Sequence, residues 1–115
     1  MIKEKRTDKQ YLLDMCDAIK SANEFLGKAS QKDFEGDYML QSAVFRQFEI
    51  IREAASRLSA DLTRQHDKIN WQEVIGMRHK MIHDYFEVSV DIVWNTAKND
   101  LPVLKEQIED ILKNF

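Results

Sequence analysis

The chain has 115 residues, enough for one hydrophobic core and too few for two. Apolar residues make up 43% and charged residues 32%, a balance that excludes a disordered chain, and no run of about 18 apolar residues is present to span a membrane. The net charge of −3 excludes a broad basic face, so any nucleic acid must be met at a local site.

Thr7 and Gln10 stand at capping-box spacing. Tyr11, Leu12, Met15, Ala18, Ile19, Ala22, Phe25 and Leu26 then recur three and four apart, which predicts a first helix stopped near Gly27. SQKDFEGD reads as a loop or short turn holding two N-cap candidates, Ser30 and Asp37. A long second helix is expected over 37–60, with Leu40, Val44, Gln47 and Phe48, Ile51, Ala55 and Leu58 as its stripe. The polar run DLTRQHDKIN interrupts the pattern.

Asn70 is placed to cap a third helix, which sends Trp71, Val74, Ile75 and Ile82 towards the core. Gly76 inside it costs roughly 1 kcal/mol against alanine unless close packing needs it. Ser89 or Asp91 can cap a last helical region, in which Pro102 should start a fresh segment or a kink. Ile108, Ile111, Leu112 and Phe115 give that region an apolar edge. The expected fold is all-α: an antiparallel bundle of four to five helices, one domain over 1–115. Two Trp, six Phe and five Met are a surplus that a second copy of the chain would cover, so a homodimer is expected. The lone Cys16 leaves no internal disulfide and suits a reducing compartment. MIKEKRTDKQ is not followed by the apolar stretch of a signal peptide, so the reading is cytoplasmic, with no membrane partner.

Chemistry concentrates in RHKMIHDY, residues 78–85. On a helix Arg78, Ile82 and Tyr85 share one stripe, and His79 and His83 the next. Three readings stand. Two histidines four apart have zinc spacing, but HKMIH lacks the glutamate of H-E-x-x-H and His66 lies in the polar linker. Alternatively, the pair serves metal-free phosphodiester chemistry. His83 titrates near neutral pH and can move a proton, while Arg78 stays cationic and can hold two phosphate oxygens. The third reading is a solvated helix edge with Tyr85 as a packing aromatic.

WQEVIGMRHKMIHDYFEV resembles the signature of the HepT-like branch of the HEPN superfamily, W-x-x-I-x-G-M-R-N-x-L-x-H-x-Y-F and close variants. LLDMCDAIKSANEFL resembles that family's opening helix, DFEGDYMLQSAVFRQFEIIREAASRLS its long second helix, and VDIVWNTAKNDLPVLKEQIEDIL its ending. The resemblance implies a two-fold homodimer with R-x-x-x-x-H motifs facing one cleft. It also implies metal-independent endoribonuclease activity on RNA, used as the toxin of a toxin–antitoxin pair, with no cofactor. By that resemblance Arg78 and His83 are catalytic, and His79, where the family mostly has Asn or Asp, is auxiliary. Tyr85 matches the tyrosine to which a nucleotidyltransferase antitoxin attaches AMP. Glu53 matches the family's I-G-E-A segment and is expected to fix Arg78, while Arg52 replaces its glycine. Trp71, Gly76 and Met77 match as an anchor, a close contact and a packing residue. A non-catalytic subunit that binds nucleotide or docks a nucleotidyltransferase is the competing reading.

Overall fold

The structure, a computed structural model, describes residues 6–83 and 90–115, with residues 78–83 described as backbone alone. All regular structure among these residues is helical. Helix α1 spans Asp8–Leu26. The capping box closes as expected: Thr7 Oγ1 accepts from Gln10 N at 3.3 Å, and Gln10 Oε1 accepts from Thr7 N at 2.8 Å. Gly27 ends the helix at φ +50, a conformation that a β-carbon would disfavour. Ser30 then caps a one-turn helix, α2 (Gln31–Glu35), whose Phe34 is buried.

Helix α3 (Tyr38–Ser56) starts at the Asp37 cap, where Asp37 Oδ1 accepts from Leu40 N at 3.0 Å. It stops earlier than the 37–60 expected. Ser59 begins a separate short helix, α4 (Ala60–Gln65), by accepting from Leu62 N at 3.2 Å. Asp8 holds that corner, accepting from Ser59 N at 2.9 Å and from Ser59 Oγ at 2.6 Å. The polar run is therefore partly helical, anchored by the buried Leu62.

Helix α5 spans Trp71–His83 and α6 spans Val90–Asn95. A π-helical turn at Thr96–Asp100 leads straight into α7 (Leu101–Leu112), which carries Pro102 in its first turn. Proline has no N–H and its ring crowds the carbonyl four residues back. The wide turn accommodates it, since Leu101 N–H reaches Thr96 O, five residues away. Pro102 thus starts a fresh segment without breaking the arm.

The arms alternate in direction. The start of α1 meets the end of α3 through Asp8 and Ser59. At the opposite end α2 meets α6, where Gln31 Nε2 donates to Asp91 Oδ1 at 2.7 Å and the Phe34 and Trp94 rings lie 5.7 Å apart. Residues 68–70, just before α5, share a cavity wall with Leu104 and Gln107 of α7. The result is an antiparallel helical bundle in which α1 packs on α3 and α7, and α3 packs on α5. Its core includes Leu12, Met15, Ile19, Phe34, Val44, Phe48, Ile51, Leu101 and Ile108, all at most 2% exposed. Two residues of the apolar patterns lie at the surface: Phe25, in the last turn of α1, and Phe115, beyond the end of α7. Among the described residues no helix is long and apolar enough to cross a membrane.

Candidate functional site

The start of α5 is fixed from three sides. Asn70 Oδ1 accepts from Glu73 N at 3.1 Å, which satisfies a donor in the first turn. The Trp71 indole N–H donates to His66 O at 3.0 Å, and Trp71 and Val74 are buried. From this anchored end the backbone stays helical through His83. Arg78 therefore stands four residues beyond Val74 and seven beyond Trp71, on the stripe that begins in the core. His79 and His83 occupy the neighbouring stripe, one turn apart. Arg78 and His83 are separated along the axis by about 7.5 Å and around it by roughly 140°. The side chains of Arg78, His79 and His83, and Tyr85 altogether, lie outside the described residues.

Glu53 sits in the last turns of α3, exposed. Its carboxylate bridges two guanidinium groups: Arg52 Nη1 donates to Oε2 at 3.1 Å, and Arg57 Nε donates to Oε1 at 2.9 Å. Both oxygens are engaged on α3 itself. The hydrogen bond that Arg57 donates to Glu53, followed by the carboxylate's charge, raises the Arg57 pKa above its ordinary value.

Two cavities lie near the segment that leads into α5, and only the first is lined by α5 itself. One, of about 310 Å³, is lined by Glu73, Val74 and Met77 together with Thr96, Asp100 and Leu104. The second, of about 380 Å³, holds His66 beside Asp67, Asp110 and Asn114. The third histidine is thus walled by the C-terminal half of α7. Among the described residues no three His, Cys, Asp or Glu side chains gather to hold a metal. Cys16 is buried in α1, where desolvation and then the nearby Glu109 charge push its thiol up, so it is a packing residue and a poor nucleophile.

Charge is not evenly spread over the helices. Helix α1 carries Lys9 and Lys20 against Asp8, Asp14, Asp17 and Glu24, and α7 carries Lys105 against Glu106, Glu109 and Asp110. By contrast, α3 is balanced, with Arg46 and Arg52 against Glu49 and Glu53, and α5 has Arg78 and Lys80 against Glu73. The acidic excess thus belongs to α1 and α7 and is absent from the pair that bears the candidate residues.

The family model for the ribonuclease HepT-like family matches residues 15–111. The "Probable ribonuclease HepT" of Thermococcus cleftensis is 42% identical over 109 residues, covering 95% of this chain and 99% of the relative. A protein of Caldanaerobacter subterraneus subsp. tengcongensis, named as a candidate RNase, is 35% identical over 94% of this chain and 96% of its own length. One of Methanocaldococcus jannaschii, named in the same terms, is 33% identical over 96% of this chain and 92% of its own length. No solved structure matches the chain.

Proposed function

The chain belongs to the ribonuclease HepT-like family, and from that membership we propose that it is an endoribonuclease that cuts RNA through the chain's own 2′-hydroxyl, without a metal. The observation that carries the reading is the match over 15–111, which takes in the whole of α5 with Arg78 and His83. His83 takes the proton of a 2′-hydroxyl, and that oxygen attacks the adjacent phosphorus. The bond from phosphorus to the 5′-oxygen breaks, and the leaving oxygen takes a proton from the imidazolium of a second copy. Arg78 holds the non-bridging oxygens as negative charge builds on them. The products are a 2′,3′-cyclic phosphate and a 5′-hydroxyl. Two copies of α5 supply the two imidazoles, so the active form is a homodimer. His79, one turn from His83, assists it.

The same reading makes the enzyme the toxin of a pair. A nucleotidyltransferase antitoxin transfers AMP from ATP to Tyr85, two residues past His83: the deprotonated phenol oxygen bonds to the α-phosphorus, pyrophosphate leaves, and the added phosphate charge then repels RNA. The test is incubation of purified protein with RNA in a chelator, with the new ends identified chemically. Cyclic phosphate ends are expected, and His83→Ala should lower the rate by about 100-fold or more. Cleavage that His83→Ala leaves unchanged would remove His83 from the mechanism.

The acidic excess on α1 and α7 favours a second reading, a non-catalytic subunit that docks the nucleotidyltransferase. AMP found on Tyr85 by mass spectrometry, in a protein that cuts no RNA, would select it.

A further inference from the structure

The cavity of about 310 Å³ between α5 and the last arm has features that core packing does not require. One wall is the first turns of α5, with Glu73, Val74 and Met77, and the other is the π-helical turn and the start of α7. Its floor is apolar, since Val74, Leu101 and Leu104 are buried. Val103 also lines it, yet stays 55% exposed, so part of this apolar surface is covered by nothing among the described residues. Thr96 and Asp100, the two ends of the π-helical turn, both line the cavity, and such turns are frequent at functional sites.

The charges on this lining are uneven. Glu73 and Asp100 stand one on each wall, against Lys68, which also borders the second cavity and so marks the far end of this one. Both carboxylates are exposed, and among the described residues neither has an ion pair or a hydrogen-bond partner. We propose that the cavity binds a small organic cation, with an apolar body the size of one aromatic ring system on the floor and an ammonium head met by Glu73 and Asp100. The proposal goes beyond the nuclease reading and does not depend on it. The volume lies at the small end of ligand cavities, about 300 Å³ and upward, which suits a single ring system and is too little for a helix about 10 Å across. Burial of the apolar body supplies the affinity. The carboxylates supply the choice of sign, because exposed charge pairs contribute little by themselves.

The experiment titrates the full chain with tryptamine, with its neutral counterpart tryptophol and with the anion indolepropionate, following backbone amides in proton–nitrogen correlation spectra. Tryptamine is expected to shift the amides of Glu73, Val74, Thr96 and Leu104 saturably, with a Kd on the order of 1 mM. It should bind about five-fold tighter than tryptophol, with indolepropionate weaker than both. Glu73→Gln and Asp100→Asn should each lower tryptamine affinity about two- to five-fold and leave tryptophol unchanged. Val103→Ser, at an exposed position, should weaken tryptamine and tryptophol alike. Asp61→Asn, which removes an exposed carboxylate of α4, is the control and should change neither. Shifts that do not saturate or that centre elsewhere, equal binding of the three ligands, tighter binding of the anion, or an equal loss in Asp61→Asn would each overturn the proposal. So would the same amides moving when the chain is diluted without ligand, since a second copy would then fill the cavity.

Discussion

Trp71 carries two jobs in one side chain, since it fills the core and its indole N–H closes the carbonyl that ends α4. Trp71→Phe keeps most of the apolar volume and strands the His66 carbonyl. It should cost about 1 kcal/mol in chemical denaturation, with faster amide exchange in the first turn of α5. A change confined to global stability, with those amides unaffected, would mean that the bond does not hold the helix start. At this scale the sequence was readable wherever a residue acts on its own neighbours: Thr7 with Gln10, Asp37 and Asn70 all cap where their spacing says. For Glu53 spacing says less: its oxygens accept from Arg52 and Arg57, a choice set by rotamers, and its expected contact with the Arg78 side chain lies outside the described residues.

Among the elements, α5 holds the residue whose expected reason failed. Gly76 was read as a close contact, yet a β-carbon built there meets nothing within 4 Å among the described residues. With no packing reason among the described residues, Gly76→Ala should raise helix propensity and stabilise the chain by about 1 kcal/mol, seen as a higher Tm. A lower Tm, together with a shift in oligomeric state, would show that a second molecule packs against this face. The long helices were legible because their apolar stripes run for several turns. Helix α4 was not, since a helix of six residues has room for one buried side chain, Leu62, and no period. The end of α3 was missed for the same reason: Leu58 continues the stripe by spacing, but the corner is decided by Asp8, about fifty positions away.

For the whole molecule, the net charge of −3 proved less informative than where the charges fall. Acidic residues outnumber basic ones on α1 and α7 while α3 is balanced, so the total conceals an uneven distribution. The bundle was legible as a class, whereas the packing of α1 on α3 and α7, and of α3 on α5, joins residues far apart in the sequence. The π-helical turn at Thr96–Asp100 has a further consequence at this scale. One extra residue in a turn offsets everything upstream of it by about 100° relative to everything downstream. The phase between α6 and α7 is therefore set by a single surplus position. Helix α7 packs on α1, while Trp94, on the same arm, meets the Phe34 ring of α2. Deleting Lys98 should restore an even pitch and swing Trp94 away from Phe34. The expected signature is a loss of near-ultraviolet tryptophan dichroism at nearly constant helix content. An unaltered spectrum would mean that the arm absorbs the lost residue elsewhere, and that its two halves are not geared together.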